Sequence, residues 1–412
     1  MEKQQFQNSN AQKNAELEYV PTMLDLFSGA GGTGYGFIKA GFKIVGAVEL
    51  NPNAAETYKQ NLKVNVKTID IRILQPAKFR KELRLRRKQL DVLVGCPPCQ
   101  GFSRIRNGHG QNDERNDLVL SYLEFVAEFN PRYAVFENVP GILRYDYARA
   151  FYNKLNEGLE ILGYSIQTFE EDAANYGTPQ HRRRVVVVAA RKGQKMLQPR
   201  RTHGDPRSKE VINGNLLPWR TVRDAIGNNK YPALSAGQNG EQDGKYPNHI
   251  APRIISERVL NFIKDVPHDG GSRTDVPKER WLKCHLDSSG FIDVYGRLFW
   301  NKPSNTLTCG CTNLSKGRYV HPEQDRALTY REAAALQGFD EKFKFYGEEI
   351  SKQIGNAVTP QLSEALANTA KENIFTSLRS GKKSKAVVKG INHNLELGER
   401  RPNEKNPKVV RI

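Results

Sequence analysis

Two cysteines separated by two prolines are the most reactive group that the sequence offers. Cys96 and Cys99 directly follow an apolar run at 90–94. In an α/β sheet, ligands sit at the carboxyl ends of strands, and the prolines stiffen the backbone before Cys99. The pair admits three interpretations: a redox dithiol, half of a zinc site completed by Cys309 and Cys311, or a single nucleophile at Cys99.

The surroundings of these cysteines favour the nucleophile. A single residue separates Cys309 from Cys311, which is tighter than the usual spacing of structural zinc ligands. A redox pair is expected at the start of a thioredoxin-like helix, whereas Cys99 leads into a glycine-rich segment. The sequence therefore favours a thiol nucleophile and predicts no metal site.

A glycine-rich loop with an acidic partner predicts a nucleotide-bearing cofactor. Residues 29–34 fit G-x-G-x-x-G between a predicted strand and a predicted helix, and Glu49 follows Gly29 by 20 residues, at the end of the next strand. Glycines let the backbone approach a ligand closely, and the carboxylate can accept ribose hydroxyls. The motif by itself fits a nicotinamide cofactor as well as S-adenosylmethionine.

A carboxylate and an arginine segment are further candidates. Glu137 ends the predicted strand at 133–137. Arg182 and Arg184 alternate along an extended segment and so share one face, whereas Arg183 takes the other.

The elements that must position these residues alternate between strand and helix. Strands are predicted at 23–27, 43–50, 66–69, 90–94, 133–137, 165–169 and 185–190, and helices at 33–40, 53–61, 78–89, 118–129, 148–162, 329–336 and 360–376. This alternation predicts a doubly wound, Rossmann-like α/β fold.

The pattern changes after position 191, where the chain becomes rich in loops until about position 320. The sequence predicts five parts. These are a disordered arm (1–20), a catalytic and cofactor-binding domain (21–194), an inserted domain (195–320), a C-terminal return that completes the catalytic domain (321–378) and a basic disordered tail (379–412).

Charge favours a polyanionic partner. The chain of 412 residues carries a net charge of +18. The tail at 379–412 contributes +7, so the rest of the chain is also basic. Phosphate contacts by such a protein release counterions. No apolar run is long enough to span a membrane, no signal peptide is visible, and five cysteines are too few for a disulfide scaffold. We therefore expect a cytoplasmic protein.

Six blocks in a fixed order give the chain a clear resemblance. They are DLFSGAGG (25–32), PPCQ (97–100), ENV (137–139), QHRRR (180–184), REAA with LQGF (331–334 and 336–339) and QIGNAV (353–358). In this order the chain strongly resembles the DNA (cytosine-5) methyltransferases of the bacterial restriction-modification type, over about 22–372.

The resemblance implies the catalytic roles. Cys99 would add to C6 of cytosine, which makes the poorly nucleophilic C5 reactive. Glu137 would share a proton with N3 and bind the 4-amino group, which requires a carboxyl of raised pKa. Of Arg182 and Arg184, one would hold the cytosine O2 and the other would support a phosphate or the loop.

The resemblance also implies that S-adenosylmethionine is the cofactor. Phe27, Gly29 and Gly31 would line its methionine part, Glu49 the ribose, and Leu50 the adenine face. The remaining candidates for the cofactor pocket are Asp70, Ile71, Pro97, Asn356 and Val358.

The implied substrate is double-stranded DNA with the target base flipped out of the helix. The loop at 101–116 would close over the gap, and the domain at 195–320 would recognise the target sequence. We expect a monomer that associates with the nucleoid, and a cognate restriction endonuclease as a possible partner. Three alternatives stay open: a tRNA cytosine methyltransferase, a nicotinamide-dependent oxidoreductase with a CxxC pair, and a catalytically inactive DNA-binding relative.

Overall fold

A seven-stranded sheet forms the centre of the protein. The computed structural model describes residues 19–98, 118–242, 244–254, 256–286 and 292–391. The seven strands are β1 (Thr22–Leu26), β2 (Lys43–Glu49), β3 (Val66–Thr68), β4 (Val92–Gly95), β5 (Tyr133–Asn138), β6 (Tyr164–Asp172) and β7 (Arg183–Arg191).

The sheet has the order β3-β2-β1-β4-β5-β7-β6. Strands β1 to β5 pair in parallel, whereas β7 lies antiparallel between β5 and β6. The strand order reverses between β1 and β4, and ligands of open α/β sheets bind at such a switch point. The doubly wound α/β prediction is confirmed.

Helices cover both faces of this sheet. Their ranges are α1 (Gly32–Lys39), α2 (Pro52–Leu62), α3 (Pro76–Glu82), α4 (Leu118–Phe129), α5 (Gly141–Arg144), α6 (Asp146–Ile161), α7 (Lys209–Ile212), α8 (Val222–Ile226), α9 (Glu257–Asp265), α10 (Lys283–Leu286), α11 (Tyr330–Leu336), α12 (Ile350–Asn356) and α13 (Pro360–Ile391). One apolar core joins α1, α2 and α13 to the sheet, and a second joins α3, α4 and α6 to the other face.

The segment between β7 and α11 has little regular structure. It holds two two-residue strands, β8 (His203–Gly204) and β9 (Leu217–Pro218), besides short helices. The chain then returns through α11, α12 and α13 to pack beside α1. Within the described residues, no helix is both long enough and apolar enough to cross a membrane.

Two helices end more than two residues away from their predicted ends. The helix predicted at 78–89 is α3, which begins at Pro76 and ends at Glu82, because Arg84 and Lys88 take left-handed backbone conformations. Helix α13 continues to Ile391, past the start of the tail predicted to be disordered from 379. The added stretch contains no proline, although it includes Gly381 and Gly390. The disordered tail itself stays a prediction, since the residues from 392 lie outside the described part of the chain.

Candidate active site

The candidate residues gather at one edge of the sheet. Strands β1 to β5 have their carboxyl ends there, and the antiparallel β7 has its amino end there. This topology brings the loops after β1, β2, β3 and β4 together with Glu137 on β5 and Arg184 on β7. We call it the catalytic edge.

The loop after β1 adopts a backbone that opens space beside the chain. Phe27 and Gly29 have φ values of 56° and 55°, and Gly31 has 104°. A left-handed Phe is strained, and such strain concentrates at functional sites. A Cβ atom added at Gly29 would meet no heavy atom of the described residues within 4 Å. The loop therefore leaves room for a ligand at Gly29.

Gly32 of this motif and Gly36 on α1 serve packing. A Cβ at Gly32 would lie 2.0 Å from the carbonyl oxygen of Val358, and one at Gly36 would lie 2.4 Å from that of Pro360. Helix α1 can therefore approach the C-terminal return closely only because these two side chains are missing. The glycine motif thus combines a ligand loop with a helix contact.

Glu49 fixes the loop after β1 through its carboxylate. Its Oε2 accepts the Gly29 N–H at 2.8 Å, and its Oε1 accepts the Asn51 N–H at 2.8 Å. Burial raises the pKa of Glu49, and these N–H donors oppose that rise. The next residue, Leu50, is 64% exposed, which is unusual for a large apolar side chain at the end of a buried strand.

The two candidates after β3 have different environments. Asp70 accepts the Arg72 N–H at 2.9 Å and pairs with its guanidinium at 2.6 Å. This partner lowers the pKa of Asp70. Ile71 is 5% exposed and belongs to the apolar core. Asp70 thus presents a carboxylate at the catalytic edge, whereas Ile71 mainly packs.

Asp25 and Ser28 are polar members of the site that the sequence argument passed over. Asp25 is fully buried in β1 and accepts the Tyr58 hydroxyl at 3.0 Å. Burial raises the pKa of Asp25 well above its usual range. The buried Oγ of Ser28 has no hydrogen-bond partner within the described residues. A charged residue inside an apolar strand was the available signal.

Glu137 and Arg184 form a buried pair. The Nε atom of Arg184 lies 2.9 Å from Oε1 of Glu137, and both residues are at most 9% exposed. Burial raises the pKa of Glu137, although Arg184 and then Arg182 oppose the rise. The neighbouring Asn138 donates its side-chain N–H to the Pro97 carbonyl at 3.3 Å, so β5 holds the segment after β4.

Cys96 lies beside this pair as an unreactive thiol. Burial raises its pKa well above the usual range, and the carboxylates of Glu137 and Asp25 add to that effect. Its Sγ is 3.8 Å from the hydroxyl oxygen of Thr33. Because the thiolate is the nucleophilic form, Cys96 is poorly suited to attack a base.

Arg182 points to other partners than Arg184 does. Its Nη1 donates to the Leu307 carbonyl at 2.9 Å and its Nη2 to the Gly355 carbonyl at 2.7 Å. Gln180 adds contacts, since its Oε1 accepts the Leu307 N–H at 2.9 Å and its Nε2 donates to Gln337 at 2.8 Å. These side chains clamp the segment before β7 to the end of the inserted region and to the C-terminal return.

The C-terminal return supplies the last two candidates. Exposed Asn356 accepts the Cys309 thiol at 2.9 Å, and Val358 is 8% exposed against α1. A Cβ at Gly355 would lie 2.2 Å from the Thr308 carbonyl oxygen, so the two segments are in close backbone contact. Asn356 is thereby placed by the inserted region as well as by its own helix.

A buried ion pair holds the start of α11. Arg326 donates to both carboxylate oxygens of Glu332 at 2.8 and 2.7 Å. Glu332 also accepts the Thr329 N–H at 2.8 Å, which completes a capping box. These contacts lower the pKa of Glu332 to about 2 against the effect of burial.

Some sequence predictions fall outside the described part of the chain. Cys99 and the loop at 101–116 lie there, as does the tail from 392. Among the described residues, no group of three or more His, Cys, Asp or Glu side chains is placed to hold a metal ion.

Comparison with known proteins identifies the family. Residues 21–372 match the family of C-5 cytosine-specific DNA methylases. The chain belongs to this family. It is 32% identical to the Type II methyltransferase M.AgeI of Thalassovita gelatinovora, over 84% of this chain and 98% of that protein. It is also 32% identical to the Type II methylase M.HgiDII of Herpetosiphon aurantiacus, over 85% and 95%.

Solved structures share the fold of this methyltransferase. A putative DNA modification methyltransferase from an E. coli prophage has a TM-score of 0.63 at 23% identity, covering 86% of this chain and 99% of that one. The Dnmt2 methyltransferase of S. pombe has a TM-score of 0.55 at 20% identity, covering 86% and 99%. The enzyme is a DNA cytosine-5 methyltransferase, and the resemblance seen in the sequence blocks is confirmed.

Proposed function

We propose that the enzyme transfers a methyl group from S-adenosylmethionine to C5 of a flipped-out cytosine in a specific duplex DNA sequence, through a covalent bond between Cys99 and C6. The observation that carries the proposal is the meeting of the ligand loop after β1 with the Glu137–Arg184 pair at the catalytic edge. Asn138, beside Glu137, donates to the Pro97 carbonyl, and the Cys96 N–H donates to the Leu26 carbonyl just before the loop, so both elements contact the segment that leads to Cys99.

The loops at the catalytic edge fit an adenosine-bearing methyl donor. The space at Gly29 and the Ser28 hydroxyl, which has no partner among the described residues, suit its amino-acid part. The Glu49 carboxylate suits ribose hydroxyls, and exposed Leu50 suits an adenine face. The other residues that we propose for this pocket are Phe27, Gly31, Asp70, Ile71, Pro97, Asn356 and Val358. The donor, when bound, supplies an electrophilic methyl group.

The proposed chemistry makes the poorly nucleophilic C5 of cytosine reactive. Addition of the Cys99 thiolate to C6 pushes an electron pair towards C5 and N3, so that C5 can take the methyl group. Glu137, whose pKa burial raises, is suited to share a proton with N3 while negative charge builds there. Loss of the C5 proton and departure of the Cys99 thiolate then restore the aromatic ring.

The arginines divide two tasks between them. Arg184 fixes the Glu137 carboxylate and lies within reach of the same base, so we assign the cytosine O2 to it. Arg182 is committed to the Leu307 and Gly355 carbonyls, and we assign it the support of the pocket walls.

We further propose that the region at 195–320 reads the target sequence and that the enzyme protects DNA within a restriction-modification system. The Type II names of the relatives and the basic charge of the chain support this. A cognate endonuclease of the same specificity is then the expected partner, and one chain is sufficient to flip one base.

Transfer of tritium from labelled S-adenosylmethionine to a mixed-sequence duplex tests the proposal. We expect label at C5 of cytosine with the wild type, and none above background with Cys99→Ala. Cys96→Ala is the matched control, because this thiol, whose pKa is raised, is not the proposed nucleophile, and the variant should keep most of the activity. Label in transfer RNA alone, or transfer that survives in Cys99→Ala, would contradict the proposal.

A further inference from the structure

A basic surface lies at the edge of the sheet opposite to the catalytic edge. It consists of Lys78, Lys81, Arg84, Arg86 and Lys88, all exposed, on α3 and the turn that follows it. We call these five residues the distal basic surface. The active site does not use them, because the turn leads into the amino end of β4 rather than its carboxyl end.

Three contacts fix this surface to the end of α4. Arg80 pairs with Glu128 at 2.7 Å, the Arg87 guanidinium donates to the Ala127 carbonyl at 2.9 Å, and the Lys88 N–H donates to the Phe129 carbonyl at 2.9 Å. Helix α4 follows β4 and returns to the amino end of β5. Its 12 residues span about 18 Å at 1.5 Å each, which separates the surface from the catalytic edge.

The described residues do not neutralise the charges of this surface. Across the part of the chain that the structure describes, no carboxylate lies within 4.0 Å of any of the five cations; the nearby Glu82 pairs with Lys67 instead, at 2.8 Å. Arg84 and Lys88 have φ values of 54° and 66°. Gly or Asn adopts that conformation at a lower cost in free energy. A turn with no other role would therefore favour Gly or Asn over Arg and Lys at these two positions.

Helix α13 contacts the same edge through Phe375. The ring of Phe375 on α13 lies 6.2 Å from that of Tyr19, whose hydroxyl donates to Asp91 at 2.7 Å. Asp91 directly precedes β4 and follows the distal basic surface in sequence. Beyond this point the chain at 379–412 holds ten Lys and Arg against three Asp and Glu. Part of α13 therefore packs at the edge of the sheet that carries the distal basic surface.

We propose that the distal basic surface binds a second segment of duplex DNA while the catalytic edge holds the target segment. The inference rests on the proposed function and extends it to long DNA. Charge complementarity and the substrate class of the family favour DNA over an acidic protein. Duplex DNA resists bending over about 150 base pairs, so a short straight target cannot reach both edges, whereas a long molecule or a second duplex can.

Binding of two duplexes tests the proposal directly. The protein is first saturated with an unlabelled 20-base-pair duplex of the sequence found in the tritium assay. A fluorescent 30-base-pair duplex of alternating dA and dT, which lacks cytosine, is then titrated by anisotropy. We expect a ternary complex with the wild type. In the triple variant Lys81→Gln, Arg84→Gln, Arg86→Gln we expect affinity for the second duplex to fall roughly 10-fold or more, with a salt slope shallower by up to about 3.

A control of equal charge separates this surface from net charge. The triple variant Lys59→Gln, Lys154→Gln, Lys342→Gln removes three exposed lysines scattered elsewhere and should bind the second duplex nearly as the wild type does. Urea unfolding checks that both variants fold, and tritium transfer to the short duplex should be unchanged in both.

Three results would overturn the inference. They are a wild type that binds only one duplex, an equal loss in the two triple variants, and a distal variant that loses transfer to the short target. The first would leave an acidic protein as the occupant to consider. If the wild type transfers no methyl group, the proposed function fails, but anisotropy with the dA–dT duplex still compares the two triple variants.

Discussion

Arg184 Nε and Glu137 Oε1 lie 2.9 Å apart across the neighbouring strands β7 and β5, in a position from which solvent is largely excluded. The antiparallel insertion of β7 creates this relationship, because it brings the amino end of β7 to the carboxyl end of β5. A buried carboxylate of raised pKa beside a permanent cation is suited to a base that gains negative charge.

The first prediction concerns this carboxylate. Glu137→Gln keeps the shape of the side chain and an oxygen acceptor for Arg184, but it cannot share a proton. We expect the rate of methyl transfer to fall about 10²- to 10⁴-fold, with donor affinity unchanged. Single-turnover tritium transfer measures the rate, and equilibrium dialysis of the labelled donor measures affinity.

The control for this prediction is Glu170→Gln on β6. Its carboxylate lies 3.0 Å from Arg144 and is partly exposed, so its loss should change the rate less than threefold. A Glu137→Gln enzyme with near wild-type turnover would remove the proposed proton-sharing role.

The second prediction separates Arg182 from its neighbours. Lys at 182 cannot reach the Leu307 and Gly355 carbonyls together, so one or more buried acceptors lose a partner. We expect Arg182→Lys to lower the free energy of unfolding by about 2–4 kcal/mol. Arg183→Lys is the matched control, because the Arg183 side chain is 68% exposed, and we expect a change below about 0.5 kcal/mol. Urea unfolding at pH 7 measures both changes. Equal stability of the two variants would refute the role of Arg182 in holding the Leu307 and Gly355 segments.

The third prediction contrasts two glycines of one motif. Gly32→Ala places a Cβ 2.0 Å from the Val358 carbonyl oxygen, so α1 or the return must move, and we expect a clearly destabilised protein. Gly29→Ala meets no atom of the described residues within 4 Å, and its positive φ costs only about 1–2 kcal/mol. The Gly29 variant should therefore fold and yet bind the donor at least 10-fold more weakly.

Calorimetric titration with S-adenosylmethionine, beside urea unfolding, measures both effects. Undiminished donor binding by Gly29→Ala would show that the space at Gly29 is not the donor's. A Gly32→Ala protein as stable as the wild type would contradict the packing argument.

The sequence was sufficient to predict the sheet and to assign the candidate residues to strand ends, because strand ends and loop motifs are local. Their functional roles stay predictions. Glu137 and Glu49 are placed by the strands that carry them. The partners of Arg182 are not local, since Leu307 and Gly355 lie 125 and 173 residues further along the chain. Alternation along a strand gives the side on which a side chain lies, but not what the rest of the chain brings there.

The premature end of α3 has a similar explanation. Propensity alone favours helix through a run of Lys, Arg and Leu at 78–89. Contacts of Arg80, Arg87 and Lys88 with the end of α4 favour a turn there instead. Tertiary contacts overrode local preference, as they also did for Asp25, whose partner Tyr58 comes from α2.

The last prediction concerns pH and the buried Arg326–Glu332 pair. The pKa of Glu332 falls from 4.5 to about 2 on folding, because Arg326 and the Thr329 N–H favour its charged form. The stabilisation from ionised Glu332 is therefore fully present above about pH 4.5 and is lost as the pH falls towards 2. This difference in pKa corresponds to about 3 kcal/mol.

We expect the free energy of unfolding of Glu332→Gln to be lower than that of the wild type by roughly that amount at pH 7, with a gap between the two proteins that narrows below pH 4.5. Urea unfolding at pH 7, 5, 4 and 3.5 measures the gap, and Glu160→Gln on the exposed face of α6 serves as control. A gap that stays constant down to pH 3.5 would mean that the cost arises from packing around Arg326 and not from the charge of Glu332.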